Sequence, residues 1–245
     1  MLIKAIVAYD GYNYAGWQRQ ENALGIQAVI EDVLSKIHKE PVEIVASGRT
    51  DAKVHALGQV FHFQPKENIS CEGYFQAMNT LLPKDIRIQS CEFVPDSFHA
   101  RFSAKKKRYE YVNTYDVKNP FIYKYKNVLR KHLDVDKMKK ACSYLIGEHD
   151  FTSFSSCKID ARKPRVKCID TIDIVEENQD VRFVFVGSGF LRYQVRMMSA
   201  TLIAVGEGKI LPEDVKIMLE KKDKHACRFN AAAQGLYLME VYYES

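Results

Sequence analysis

The residues best suited to chemistry lie together in the stretch "ASGRTDAKVHA", residues 46–56. Arg49, Asp51 and His55 fall within seven residues of this stretch. A carboxylate in such basic surroundings has three ordinary uses: it caps a helix or turn, it binds a metal, or it takes part directly in a reaction. Asp51 lies between two segments that are typical of strands, so we expect it on a loop, where functional side chains tend to be displayed.

The sequence predicts neither a metal site nor a nucleotide cofactor. The seven histidines are scattered, without an H-E-x-x-H motif or a Cys/His ligand spacing. The six cysteines contain no C-x-x-C pair, which in a chain of 245 residues indicates reduced thiols. The stretch "GSGFLR" at 187–192 lacks the third glycine of a dinucleotide fingerprint and the lysine of a P-loop. Metal binding by Asp51 is therefore rejected.

A predicted helix in the second half of the chain offers a partner for Asp51. Arg192 and Arg196 are four residues apart in "FLRYQVRMMSATLIAVGEG", which predicts that they share one face of a largely apolar helix. An arginine that faces a core is costly unless it is paired with an acid. Asp51 is a good candidate for that acid, although on these residues alone it remains possible that it only caps a turn.

The charge of the chain is unevenly distributed. The formal net charge of +5 and the pI of about 8.7 are a mild basic bias. The basic residues are concentrated in "KKKR" at 105–108, "RKPRVK" at 162–167 and "KKDK" at 221–224. Blocks of one sign suit phosphate contacts, whereas a solvated helix more often mixes the signs. The alternative for each cluster is a solubilising loop.

The hydrophobic pattern predicts an α+β protein made of two similar halves. Alternation predicts strands at 2–9, 42–48, 57–63, 86–94, 107–115, 168–175, 181–189 and 235–243. Apolar residues at three- and four-residue spacing predict helices at 26–37, 71–81, 135–146, 190–208 and 213–221. The third has Asp134 as its N-cap and Gly147 just past its end. We place the boundary near residue 103, which gives an N-terminal half of 1–103 and a C-terminal half of 104–245.

The chain also shows no sign of export or membrane insertion. No apolar run approaches the roughly 20 residues that a bilayer span needs. The opening "MLIKAIVAYDGYNYAGW" lacks the basic start, apolar core and cleavage site of a signal peptide. We therefore expect a cytoplasmic protein.

Seven motifs in order resemble one family, the bacterial tRNA pseudouridine synthases that modify the anticodon stem-loop (the TruA family). They are "YDGYNYAGWQRQ" at 9–20, "SGRTDAKVHA" at 47–56, "MNTLLPKDI" at 78–86, "FHARFSAKKKRYEYV" at 98–112, "GEHDFTSF" at 147–154, "GSGFLRYQVRMM" at 187–198 and "GLYLMEV" at 235–241. The resemblance covers nearly the whole chain. It implies a pseudouridine synthase fold with largely antiparallel sheets flanked by helices, and a homodimer that needs no cofactor.

The resemblance assigns roles to single residues. It implies that the enzyme isomerises uridine at tRNA positions 38, 39 and/or 40, with Asp51 as the catalytic aspartate. Arg49 would enter the RNA and help to turn the target nucleotide out, Tyr109 would stack on the uracil, and Arg196 would pair with Asp51. These roles suit the chemistry, because the base must leave the stack and rotate in a closed pocket. Whether the carboxylate attacks the sugar, attacks the ring or assists glycosidic cleavage stays open.

Two departures from the family pattern bear on whether substrate range and full activity can be inferred from the resemblance. Lys53 stands where the family usually has glycine, so either the backbone angles accept a side chain or Lys53 itself contacts RNA. The stretch "NAAAQGLYL" at 230–238 lacks the usual proline. Two other functions remain open, namely a non-catalytic RNA-binding protein and a synthase that acts on another uridine or RNA class. The generic candidates for phosphate contacts are Lys53, Lys105, Lys106, Lys107, Arg108 and Arg165.

Overall fold

The structure is a computed structural model that describes residues 1–157 and 164–244. In this part of the chain, ten strands and five α-helices form a mixed, mostly antiparallel α+β protein, which confirms the predicted fold class. The chain divides into unit 1, Met1–Lys105 with Leu238–Ser245, and unit 2, Lys106–Tyr237. Within the described ranges, no helix is long and apolar enough to cross a membrane.

Unit 1 is built on an antiparallel sheet with a long first strand at its centre. The strands are β1 (Leu2–Tyr9), β2 (Val45–Ala46), β3 (His55–Phe63) and β4 (Ile86–Val94). β1 pairs with β3 on one side and β4 on the other, with Ile3 opposite Phe63 and Phe93. Alternate residues of β1 are buried, as the sequence pattern requires of a strand with one face on a core.

The two helices of unit 1 lie where the apolar spacing predicts them. They are α1 (Ile26–His38) and α2 (Cys71–Leu81). α2 begins at a side-chain cap, because the Ser70 hydroxyl accepts the Gly73 N–H at 3.0 Å. α1 has no such cap. Its first amides instead donate to the loop before it, from Ile26 to the Gly16 carbonyl at 3.0 Å and from Gln27 to the Trp17 carbonyl at 2.8 Å.

Unit 2 repeats the combination of an antiparallel sheet and packed helices. Its strands are β5 (Lys106–Thr114), β6 (Asn127–Val128), β7 (Gly147–Asp150), β8 (Val166–Glu177) and β9 (Asp180–Gly187). They run in the order β5, β9, β8, β7, and the short β6 pairs in parallel with β5. The last strand of the chain, β10 (Leu236–Tyr242), belongs to unit 1 from Leu238 onward.

The helices of unit 2 are α3 (Val135–Leu145), α4 (Gln194–Gly206) and α5 (Pro212–Glu220). The predicted N-cap of α3 is confirmed, since the Asp134 carboxylate accepts the Lys137 N–H at 3.1 Å. The predicted start of α4 at residue 190 is wrong. Tyr193, with a φ of 68°, lies in the left-handed region, so the helix begins only at Gln194.

The predicted strand at 42–48 is also wrong over most of its length. β2 contains only Val45 and Ala46, which pair with β3, and one further bond runs from the Ser47 N–H to the Val60 carbonyl of β3 at 2.7 Å. The Val42 N–H donates to the Ser35 hydroxyl at 3.0 Å and the Ile44 N–H donates to the Glu31 carboxylate at 3.2 Å. These side chains on α1 therefore take the donors that a strand would offer to its neighbour.

Candidate functional site

Asp51 lies on the loop between β2 and β3, in a turn that the structure defines closely. The Val54 N–H donates to the Asp51 carbonyl at 3.2 Å, which closes a four-residue turn. Within it only Lys53 has a positive φ, of 67°. A positive φ at the third position alone is the pattern of a type II turn, in which glycine is favoured there. No helix begins in this loop, so Asp51 is not a helix cap.

The backbone of this loop is held by the segment that precedes α1. The Trp17 N–H donates to the Thr50 carbonyl at 3.1 Å, and the Lys53 N–H donates to the Tyr14 carbonyl at 3.3 Å. The hydroxyls of Tyr9 and Thr50 are 2.8 Å apart. Burial raises the pKa of Tyr9, so the phenol stays neutral and keeps this hydrogen bond. Asp51 is thus flanked on both sides by residues with fixed main-chain partners.

Two glycines make this close approach possible. A Cβ at Gly11 would lie 1.9 Å from the Val54 carbonyl oxygen. A Cβ at Gly16, whose φ is 95°, would lie 2.5 Å from the Thr50 carbonyl oxygen. Both distances are far shorter than a van der Waals contact, so any larger residue at either position would push the Asp51 loop away from its support.

The side chains around Asp51 combine one half-buried acid with exposed cations. Asp51 is half-buried, whereas Arg49 and Lys53 are exposed. The Lys53 ammonium lies 5.1 Å from the centre of the Tyr12 ring, within the range of a cation–π contact. Behind the loop, buried His55 accepts the Gly11 N–H at Nδ1 over 3.1 Å. The three predicted site residues of unit 1, Arg49, Asp51 and Lys53, therefore lie on one loop.

In unit 2, Tyr109 lies on β5 and is only 9% exposed. Its strand neighbour across the sheet is Phe185 of β9. The edge of its ring meets Phe190, with 5.3 Å between centroids and an interplanar angle of 82°. Tyr109 is therefore held by aromatic neighbours in one orientation. Phe190, which the sequence did not single out, comes from the segment that leads into α4 and could have been recognised by its place in "GSGFLR".

Arg196 lies in the first turn of α4 and is tied to a loop of its own unit. Its Nε donates to the Ala231 carbonyl at 2.8 Å, and the Ala231 N–H donates to the Arg196 carbonyl at 3.2 Å. Its guanidinium carbon lies 5.0 Å from the centre of the Tyr193 ring. The Tyr111 hydroxyl donates to the next carbonyl, Ala232, at 2.9 Å. These contacts fix Ala231 and Ala232, at the start of the stretch 230–238.

The prediction that Arg192 and Arg196 share a helical face is wrong in its geometry, because Arg192 precedes α4. The two arginines nevertheless meet at one residue. The guanidinium carbon of Arg192 also lies 5.0 Å from the Tyr193 ring centre. Tyr193 was missed by the sequence reasoning, and its position between two arginines was the available signal.

The side chains predicted to contact phosphates differ in exposure and in whether they already interact with another side chain. Lys105 is exposed, Lys106 is 3.0 Å from the Asp170 carboxylate, and Arg108 forms an ion pair with buried Glu110. Lys107 is half-buried. Arg165 donates to the Ser155 hydroxyl at 3.1 Å. Residues 162 and 163 of the second basic cluster lie outside the described residues.

No group of three or more His, Cys, Asp or Glu side chains suited to a metal ion occurs in residues 1–157 and 164–244. The chemical groups that the described structure does offer are a carboxylate on a fixed turn in unit 1, and a held tyrosine and arginine in unit 2. A carboxylate of this kind serves a nucleophile or a general base, and a held aromatic ring serves to stack a planar base.

Comparison with known proteins gives consistent matches. The family model described as "tRNA pseudouridine synthase" matches residues 5–103 and 141–244. "tRNA pseudouridine synthase A" of an Exiguobacterium species is 47% identical over 242 residues, covering 99% of this chain and 98% of that protein. The protein of the same name from Bacillus subtilis is 41% identical over 249 residues and covers 100% of both chains. That from Bacillus pumilus is 42% identical over 248 residues, again covering 100% of both.

One solved structure also aligns with the chain, with a lower similarity. It is titled "Crystal Structure of a Cbf5-Nop10-Gar1 Complex" and aligns over 96% of this chain and 57% of that chain. The TM-score is 0.39 and the sequence identity 11%, which is too low to support an argument about fold or function.

Proposed function

The chain belongs to the tRNA pseudouridine synthase family, a family of isomerases, and we propose that it converts uridine to pseudouridine in the anticodon stem-loop of tRNA, at position 38, 39 or 40. We propose Asp51 as the catalytic carboxylate. The observation that carries this assignment is the turn that holds Asp51 half-buried, with fixed main-chain partners on both sides and exposed cations next to it. A carboxylate held in this way needs little rearrangement when the reaction begins.

The reaction balances without a redox partner or an energy source. The bond from uracil N1 to the ribose C1′ breaks, and a bond from C5 to C1′ forms. The proton on C5 is lost to a base, and N1 gains one. Asp51 provides either the nucleophile or the base that these steps need. Since no electron is gained or lost and no energy source is needed, the reaction requires no redox cofactor and no ATP; we propose that the enzyme also uses no metal.

The target uridine must leave the RNA stack before any of these steps. We propose that exposed Arg49, two residues before Asp51, enters the RNA in its place. Tyr109 would stack on the detached uracil, which its fixed orientation against Phe190 favours. Arg196 would pair with Asp51 and keep the carboxylate ionised and aimed.

RNA binding beyond the target base would rest on the basic side chains. Lys53, Lys105, Lys106, Lys107, Arg108 and Arg165 are the proposed phosphate contacts. Of these, exposed Lys53 and Lys105 are the best placed to meet a phosphate, because Arg108 is engaged with buried Glu110. We further propose a cytoplasmic homodimer, on the resemblance to the family.

The decisive experiment follows the loss of the C5 hydrogen. Wild-type protein should release tritium from tRNA labelled at uridine C5, and Asp51→Ala should abolish this release while tRNA affinity is largely kept, since phosphate contacts carry most of the affinity. Glu21→Ala removes an exposed acid of the same unit and serves as the control, with unchanged release. Substantial tritium release from Asp51→Ala would make Asp51 a structural turn residue and refute the mechanism.

A double mutant tests the proposed partnership. Arg196→Met should also lose most activity, because a carboxylate without its partner must desolvate alone or take up a proton. If Asp51 and Arg196 act as one unit, the double variant should be hardly slower than Asp51→Ala. Mapping pseudouridine in tRNA from a deletion strain would then name the modified positions and exclude a purely binding role.

A further inference from the structure

A tight turn at residues 99–103, "HARFS", lies in unit 1 between β4 and β5. His99 organises it. The Arg101 and Phe102 N–H groups both donate to the His99 Nδ1, at 3.1 and 3.3 Å. The His99 N–H donates to the Ser103 hydroxyl at 3.0 Å, and the Ser103 N–H returns to the His99 carbonyl at 2.9 Å. The backbone of the turn is thus fixed by its own side chains.

Buried groups anchor the same turn from below through Ala100, which is fully buried. Its N–H donates to the His62 Nδ1 at 3.1 Å, and its carbonyl accepts the Tyr243 hydroxyl at 2.7 Å. Burial lowers the pKa of His62, with a smaller contribution from His99, so the imidazole is neutral near pH 7 and its Nδ1 remains an acceptor. The turn is therefore rigid and well anchored.

This rigid turn displays an aromatic ring with one cation, Arg101, close to it. The Phe102 side chain is 76% exposed. His99 lies against the ring, with 4.3 Å between centroids, and the Arg101 guanidinium carbon is 5.6 Å from the ring centre. Arg101 and Lys105 are themselves exposed. Asp96, the nearest acid before the turn, is paired with the Met1 amine at 2.8 Å.

We propose that Phe102 is a stacking platform for an unpaired nucleobase of the tRNA substrate, with Arg101 and Lys105 contacting the neighbouring phosphates. The inference rests on the proposed function for its ligand. A single exposed ring on a fixed backbone loses little conformational entropy when a base stacks on it. Arg101 beside the ring and exposed Lys105, three residues further along the chain, match a polyanion, whereas a second copy of the chain would bring the same positive charges to the surface. The contact is separate from the Asp51 turn and acts on affinity, not on bond breaking.

The fluorescence of a tryptophan introduced at position 102 provides a direct test. The chain has one tryptophan, Trp17, which is 2% exposed. In Phe102→Trp, a second and solvent-exposed indole is added, and tRNA should quench its long-wavelength emission by stacking. Phe93→Trp is the matched control, because Phe93 is 45% exposed on β4 of the same unit, outside the turn. Its emission should not change with tRNA.

Binding and kinetics provide the second measurement. Phe102→Ala should raise the Kd for tRNA roughly tenfold, as expected when one stacked base is lost, and raise KM for tritium release with kcat unchanged. Phe102→Tyr should restore both. No quench in Phe102→Trp, or an unchanged Kd in Phe102→Ala, overturns the platform while wild-type tritium release still upholds the proposed function. If Phe102→Ala lowers the mass of the RNA-free protein in sedimentation and leaves Kd unchanged, the ring is a contact between protein copies and the RNA proposal is wrong.

Discussion

Replacing Lys53 tests the geometry of the Asp51 turn through stability. Lys53 has a φ of 67°, a region that costs a residue with a Cβ about 1–2 kcal/mol. Glycine avoids that cost but loses about 0.5–1 kcal/mol through the greater entropy of the unfolded chain. The difference makes Lys53→Gly more stable than Lys53→Ala by about 0.5–1 kcal/mol. The contact of Lys53 with the Tyr12 ring is lost in both variants and cancels from the comparison.

The result is diagnostic because it reverses the usual order of the two residues. Lys36 is exposed on α1, and there Ala should be more stable than Gly by about 1 kcal/mol. Urea unfolding of the four variants gives both differences from the shifts in midpoint. If Lys53→Ala is as stable as Lys53→Gly, the turn is not left-handed at residue 53 and the account of its geometry fails.

The same variants decide whether Lys53 contacts RNA. If it binds a phosphate, both Lys53→Ala and Lys53→Gly should weaken tRNA binding, and the slope of log K against log salt should fall by about one. An unchanged slope in both variants would leave Lys53 as a residue that the turn tolerates without a role in binding.

Three further expectations follow from other parts of the molecule. Gly16→Ala should destabilise the protein and lower tritium release at saturating tRNA, because its Cβ would lie 2.5 Å from the Thr50 carbonyl and displace the Asp51 loop; normal kcat would contradict this. Burial lowers the His62 pKa, so the contribution of neutral His62 to the free energy of unfolding should be fully present above about pH 6.5 and decrease as the pH drops below that value. In His62→Asn this decrease should be smaller but not absent, because burial also lowers the pKa of His38. Replacing lysines 105–107 by alanine should flatten the salt dependence of tRNA binding, and an unchanged slope would mean that they only solubilise the surface.

The sequence predicts elements well where one local pattern decides the structure. The apolar spacing between Ile26 and Ile37 gives α1, and Asp134 gives the start of α3. Prediction from sequence fails where residues that are distant in the chain determine the local structure. Nothing local in residues 42–44 shows that Ser35 and Glu31 will take their amide hydrogens, so a strand is predicted where β2 has only two residues.

The candidate site shows the same division. The residue types of the Asp51 stretch are visible in the sequence, but its support is not. Trp17 and Tyr14 act through main-chain groups that any residue carries, and nothing local shows that the Thr50 carbonyl will lie where a Cβ of residue 16 would be. The turn geometry likewise depends on the single angle at Lys53. A glycine at position 53 would have indicated a residue with a positive φ, whereas a lysine gives no such indication.

Arg196 shows how the structure changes an argument made from sequence. Its place on an apolar helix suggested that an acid must pair with it, because a buried cation without a partner is costly. Within unit 2, however, the Arg196 Nε donates to the Ala231 carbonyl, and its guanidinium lies over the Tyr193 ring. A carbonyl and an aromatic ring already offset part of the cost of burial, so burial alone does not require Asp51 as the partner. If Arg196 is purely structural, Arg196→Met should lower the free energy of unfolding by the same amount whether residue 51 is aspartate or alanine. A catalytic partner would instead make the two activity losses strongly non-additive, and that contrast separates the roles.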